Sequence, residues 1–327
     1  SNPDMPTRHF GTLRFDDAPD VNLLAYTYSV GNGLSISVSA EDPQDRDFIP
    51  AFAAAGPIGG AFIPLGYPFR AVNQGGYEFP DFVGNVKYAG TWGTAQISGA
   101  VHQITDLGTS GGAPVAVTRR AADDEIGFAV AGYLSVNLPM IAAGDAVWLA
   151  ATYADGAIAY LSGGNAGIRA GSGGNSQVGR GFGALNGGLF PFVDATVRLR
   201  GAGGEIDTTE GFSIAGGFTH MWAPTFETNL FGSWMRIDYP AGADRAGLVG
   251  AGRVGFVDLE EMRIGGNAIW RPVSGFQMGV EVLYTNLEAQ RGRFALSTPT
   301  VGARLGRVRF TEDEDFIEGR LRIQRDF

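Results

Sequence analysis

Cysteine is missing from all 327 residues, so disulfides, thiol nucleophiles and zinc–thiolate sites are excluded together. Histidine is nearly missing: His9, His102 and His220 are the whole supply, too few for imidazole metal clusters. Basic residues are the minority charge, 24 against 34 acidic, for a formal net charge of −10. No basic stripe is left to neutralise a phosphate backbone, so nucleic acid is not an expected partner. Long apolar runs are lacking too. The longest candidate, "IGFAVAGYLSV" (Ile126 to Val136), is about half the ~20 residues that a membrane-spanning helix needs. Residues 51–67, "AFAAAGPIGGAFIPLGY", are greasy but broken by Pro57, Pro64 and glycines. The chain opens on "SNPDMP" with neither an initiator Met nor a signal peptide, so we expect processing or a missing upstream portion.

What is present is alternation. With 18% charged residues the chain reads as globular, and its length suits one large domain or two ordinary ones. "LSISVSAE" puts Leu34, Ile36, Val38 and Ala40 on one side and Ser35, Ser37, Ser39 and Glu41 on the other. "EMRIGGNAIWR" sets Met262, Ile264, Gly266, Ala268 and Trp270 against Glu261, Arg263, Asn267 and Arg271. "GTAQISGAVH" from Gly93 and "FQMGVEVLYTN" from Phe276 behave alike, and no segment reads as a long amphipathic helix. The pattern predicts about eleven strands, near 21–30, 34–42, 81–89, 92–104, 125–136, 145–161, 209–222, 225–239, 257–271, 274–289 and 313–327. Turns such as "GNG" at 31–33, "AP" at 223–224 and "RPVS" at 271–274 are short. They alternate with long, often Gly-rich connections at 43–80, 105–124, 162–208, 240–256 and 290–312. Short turns at one end and long loops at the other is the layout of an outer-membrane barrel.

A soluble β-sandwich also alternates, with its apolar face turned inward. The apolar faces here favour the barrel. They mix Leu, Val and Ile with aromatics near strand ends, among them Tyr26, Tyr28, Tyr88, Trp92, Trp148, Trp222, Trp270, Tyr284 and Phe327. Aromatic girdles at two membrane interfaces would place them so. An outer-membrane enzyme or adhesin and a soluble β-sandwich binding protein stay open as alternatives. "GRGFGALNGG" (Gly179 to Gly188) lacks the strand before and the helix after that a dinucleotide loop needs. No spacing joins His102 or His220 to a Ser and an Asp as a triad. No cofactor or metal is expected.

Several stretches, taken together, resemble a known family. They are "NLLAYTYSVGNGLSISVSAEDP" (Asn22 to Pro43), "PDFVGNVKYAGTWGTAQISGAVHQI" (Pro80 to Ile104), "VWLAATYADGAIAYL" (Val147 to Leu161), "EGFSIAGGFTHMWAPTFETNLFGSWMRIDY" (Glu210 to Tyr239), "VEVLYTNLE" (Val280 to Glu288) and the terminal "RIQRDF". Their order and spacing are similar to the alphaproteobacterial general porins, the outer-membrane porins of rhizobia and brucellae. The resemblance runs from about residue 12 to the end. It implies an all-β, transmembrane antiparallel barrel of sixteen strands, with short periplasmic turns, long extracellular loops and one loop folded inward as a constriction. It also implies a homotrimer in the cell outer membrane, among lipid and lipopolysaccharide, that passes small hydrophilic solutes and ions. Phe327, at the end of an alternating strand, looks like the signal read by the barrel-assembly machinery.

Single-chain bacterial barrels have an even number of strands, and eleven is odd. If the last strand descends to the periplasm, strand 21–30 becomes the sixth of sixteen. Residues 1–327 are then one porin domain that lacks about five N-terminal strands, and residues 1–20 are the tail of the inward loop. The alternative is an overlooked strand in "GLFPFVDATVRLR" at 188–200. In a pore, selectivity comes from rings of charge and from the width of the constriction. Candidate wall residues are Lys87, Arg263, Arg271, Arg320 and Arg322, with Glu261 and Glu281 between them. Asp16, Asp17 and Asp20 would face them across the constriction, or else serve as turn residues.

Overall fold

Period-two sequence becomes an antiparallel meander. The computed structural model describes residues 21–43, 69–72, 76–106, 122–162, 193–200, 203–243, 258–289, 293–295, 308–310 and 314–326. Its strands are β1 (Leu23–Gly31), β2 (Leu34–Glu41), β3 (Phe69–Ala71), β4 (Asp81–Gly90), β5 (Gly93–Ile104), β6 (Glu125–Asn137) and β7 (Ala146–Asp155). A five-residue helix, α1 (Ile158–Ser162), follows. Then come β8 (Ala195–Arg200), β9 (Gly203–Thr208), β10 (Glu210–Ala223), β11 (Phe226–Asp238), β12 (Leu259–Val273) and β13 (Phe276–Ala289). The last are β14 (Arg293–Ala295), β15 (Val308–Phe310) and β16 (Glu314–Arg325).

Eleven of these form one sheet in the order β1-β2-β4-β5-β6-β7-β10-β11-β12-β13-β16, each strand antiparallel to its neighbours. They are the eleven expected strands, with one correction. The strand read over 145–161 stops at Asp155, because Gly156 takes φ 65° and α1 begins two residues later. A strand does lie within 188–200, but β8 pairs with β3 and β9 in a separate three-stranded sheet and is not part of the wall.

The hairpin turns gather at one end of the sheet. Between β1 and β2, Asn32 and Gly33 have φ of 52° and 85°, the left-handed pair that a tight hairpin with matching twist requires. A Cβ on Gly33 would stand 2.0 Å from the Ala89 carbonyl oxygen, so the next hairpin also depends on that glycine. The long connections all leave from the opposite end.

The two faces of the sheet differ as the pattern demands. On one face Leu24, Ile97 and Leu321 are 80%, 68% and 73% exposed, within a continuous band that includes Val38, Val130, Leu230, Ile264 and Val282. A sandwich would cover such a band with a second sheet; among the described residues this one stays open, as a surface for hydrocarbon does. Aromatics edge the band at both ends. Tyr88 stacks on Trp92 (5.9 Å) at the short-turn end, where Trp222, Phe226 and Trp270 also lie. Phe128 with Tyr153 (5.9 Å) and Phe212 with Trp234 (6.1 Å) mark the long-loop end.

Trp148 is a second correction, because it belongs to the other, inner face. It packs in a buried cluster with Tyr133, Phe231 and Leu283. Glycine makes room for these rings: a Cβ on Gly217 would lie 2.6 Å from Trp148 Nε1, and one on Gly265 would lie 2.6 Å from Phe231 and 2.9 Å from Leu283. Gly265→Val should therefore destabilise the wall by about 1–3 kcal/mol. A lower urea midpoint in lipid vesicles, with unchanged slope, is the expected readout.

Candidate functional site

Register brings together residues that the sequence keeps far apart. Thr219 on β10, Asn229 on β11, Asn267 on β12, Glu281 on β13 and Arg320 on β16 are direct cross-strand partners in one transverse row. They all point inward, because the residues flanking each of them carry the apolar outer band. Thr219 Oγ1 donates to Asn229 Oδ1 at 2.6 Å, and Asn229 Nδ2 donates to Asn267 Oδ1 at 2.8 Å. Asn267 Nδ2 donates to Glu281 Oε2 at 3.2 Å, and Arg320 Nη1 donates to Glu281 Oε1 at 3.0 Å. Arg320 Nη2 also reaches Glu318 at 2.9 Å. The amides hold their orientation because each is fixed on both sides, so the row is a continuous polar rail across five strands.

Other charges lie beside this rail. Arg271 pairs with the buried Glu227 at 2.7 Å, and Arg263 pairs with Glu261 two residues along β12 at 2.8 Å. Arg263 and Glu261 are both buried on the inner face. Arg322 is exposed on the last strand and donates to Gln324. Lys87 sits on the inner face of β4, half-buried, at the other side of the sheet. Glu261, Arg263, Arg271, Glu281, Arg320, Arg322 and Lys87 thus share one face, and most of the arginines already have a carboxylate. Asp16, Asp17, Asp20 and Phe327 lie outside the described residues.

The inner face also carries a segment folded against it, and this was not foreseen. Ile158 and Leu161 of α1 belong to one buried cluster with Val83, Ala154, Ile237 and Leu287, at the long-loop end of four wall strands. A Cβ on Gly211 would come within 2.5 Å of Leu161, so the wall is thinned to glycine where the helix rests. Polar contacts fasten it. Asp194 Oδ1 accepts the Ile158 N–H at 2.6 Å, and the Tyr160 hydroxyl donates to Asp81 Oδ2 at 2.7 Å. His102 joins the two: its Nδ1 is 2.8 Å from Asp81, and its Nε2 is 3.9 Å from Asp194. All three are at most 2% exposed, so the hydrogen bond between His102 and Asp81 is made at low dielectric, where it is stronger than in water. The signal in the sequence was "DGAIAYL", an Asp-Gly break followed by apolar residues three apart. His102 is therefore part of a buried latch.

His220 lies on the outer face near the short-turn end. Its Nδ1 is 2.7 Å from Asp145 Oδ2, and its ring meets Trp222 edge-on at 4.4 Å. Asp145 also accepts the Met221 N–H at 2.8 Å, which ties the turn 138–145 to β10. Burial tends to raise the Asp145 pKa, but the Met221 amide and the His220 hydrogen bond and charge outweigh it and hold the carboxyl below its usual range.

An antiparallel meander with an aromatic-edged apolar exterior, a polar interior and an in-folded segment is the wall of an outer-membrane β-barrel channel. Residues 9–315 match the family model Porin_2, described as a porin subfamily, and the chain belongs to that family. It is an outer-membrane, porin-type diffusion channel, a channel rather than an enzyme. A crystal structure of the outer membrane channel DcaP of Acinetobacter baumannii has the same fold. Its TM-score is 0.54 at 16% identity, over 98% of this chain and 68% of that one. No curated protein matches the chain.

Two outcomes follow from the latch and the turn. Tyr160→Phe strands a buried carboxylate oxygen of Asp81 and should loosen α1 by about 1–3 kcal/mol. Hydrogen exchange should quicken at residues 157–162 while the wall amides keep their protection. The lowered Asp145 pKa contributes stability that is present above the usual carboxylate pKa and is lost as pH falls through the depressed value. Asp145→Asn should remove that acid-side dependence, read as the pH profile of exchange in the turn 138–145.

Proposed function

We propose that the inner face lines a water-filled pore through which small hydrophilic solutes and ions diffuse passively. The transverse rail from Thr219 to Arg320 carries this reading. A row of oriented amides and paired charges facing away from the apolar band suits water and hydrated solutes, and suits nothing in hydrocarbon. Residues 1–327 act as one porin domain in this reading. Lys87, Arg263, Arg271, Arg320 and Arg322, with Glu261 and Glu281, form the charged lining. Asp16, Asp17 and Asp20 in segment 1–20 belong to the constriction.

Closure is part of the proposal. β1 and β16 both run from the long-loop end to the short-turn end, so they cannot pair antiparallel with each other. An odd number of further strands between them is needed, and five beyond the eleven would complete the sixteen implied by the family resemblance. The assembled form is a homotrimer held in outer-membrane lipid and lipopolysaccharide, inserted by barrel-assembly machinery that reads Phe327.

The test is electrical. The purified protein should open stable aqueous conductances in planar bilayers; a protein that inserts and never conducts would refute the pore. Arg320→Ala takes one cation from beside the buried Glu281, so Arg320→Ala and Arg322→Ala should each move the reversal potential towards cation selectivity. The double variant Glu281→Gln/Arg320→Ala should lie close to the parent. Unchanged reversal potentials in both single variants would take these arginines out of the conducting path.

A further inference from the structure

Lys87 is the single lysine of the sequence; arginine supplies the rest of the 24 basic residues. It points inward, because Val86 and Tyr88 on either side are exposed in the outer band. Its cross-strand partners are Ser35 on β2 and Gln96 on β5. Around that pair the inner face of β1, β2 and β5 is neutral and hydroxyl-rich. Gln96 Nε2 donates to the Ser98 hydroxyl at 2.8 Å, and the Ser37 and Thr27 hydroxyls bond each other at 2.9 Å. Among the described residues no carboxylate shares this patch. On the same strands the inner-facing acids are Glu41 and Asp81, six residues along from Ser35 and Lys87 and so about 20 Å away. Asp81 is already held by His102 and Tyr160.

The contrast with the opposite part of the sheet is sharp. Arg263, Arg271 and Arg320 each have a carboxylate within about 3 Å, whereas Lys87 has no hydrogen-bond or ion-pair partner among the described residues. An ammonium on a flexible stem, with no described carboxylate beside it and with hydroxyl and amide donors around it, is the recognition chemistry of an oxyanion. We propose that Lys87, with Ser35 and Gln96 beside it, is a transient binding site for small oxyanions, carboxylates or phosphates, on the channel wall. The site rests on the porin reading and gives the channel a saturable step for anions within otherwise unselective diffusion.

The lone lysine also provides the test. Succinic anhydride added to the folded protein acylates an amine: nitrogen attacks the anhydride carbonyl, the ring opens, and the cation becomes an amide bearing a carboxylate. Lys87 is the only lysine of these 327 residues, and peptide mapping tells its adduct from one on any other amine. In KCl, millimolar succinate and millimolar phosphate, tested separately, should each reduce the parent current saturably. Lys87→Gln should weaken the block by about tenfold, the worth of one charge-assisted hydrogen bond, while Lys87→Arg keeps it. Block by one probe alone assigns the site to that anion class. If Lys87→Gln does not insert, succinylated parent protein takes its place and must lose the block. A parent current untouched by both anions, equal block in parent and Lys87→Gln, or a Lys87 that resists acylation in the folded protein would overturn the proposal. A parent protein with no current at all would instead overturn the pore reading.

Discussion

In hydrocarbon a backbone amide or carbonyl without a partner costs several kcal/mol, and no water is at hand to relieve it. That single requirement organises this protein. Each wall strand spends its hydrogen bonds on the strands next to it, mostly its neighbours in the chain, so the sheet is a meander with few choices in its topology. Once the ladder is fixed, side chains must alternate between two solvents. Lipid takes Leu24, Ile97, Val282 and Leu321, and the inner face takes Asn229, Glu281 and Arg320. The connections at the long-loop end are free of the constraint, and there the chain departs from plain strand, into α1 and the small β3-β8-β9 sheet.

The same ladder gives the inner face its chemistry. Residues opposite each other on antiparallel strands are close enough for their side chains to meet, so a register set by backbone pairing becomes a rail of Thr, Asn, Glu and Arg. Carboxylates buried beside arginines, as in Glu227–Arg271, are tolerable because each lost hydration shell is replaced by a charged partner. Apolar packing uses the same scaffold in a different way. Glycines at 211, 217 and 265 lower the inner wall where Leu161, Trp148 and Phe231 must lie against it. The inner face is therefore divided into an apolar patch, a charged rail and a neutral hydroxyl patch around Lys87.

How much of this was legible follows from how local each signal is. Alternation in "LSISVSAE" and "EMRIGGNAIWR" depends on neighbouring residues only, and both strands appear at the expected positions. The hairpin at Asn32–Gly33 is equally local, since positive φ at both residues selects that dipeptide. "VWLAATYAD" is different, because it is apolar on both faces. Parity alone could not say that Trp148 faces inward while Val147 and Leu149 face out. The end of β7 differs for a related reason: "AIAYL" continues an apolar strand as easily as it starts a helix, and the partners that hold the helix, Asp194 on the Ile158 N–H and Asp81 on the Tyr160 hydroxyl, are distant in sequence.

The sequence by itself determined the eleven wall strands, their turns and, in most of them, the two faces, because period two is a property of adjacent residues. Tertiary structure alone decided which inward residues meet. Glu281 finds Arg320 and His102 finds Asp194 through strand register and an in-folded segment. These relations run across the sheet, perpendicular to the chain, and a linear pattern does not carry that direction.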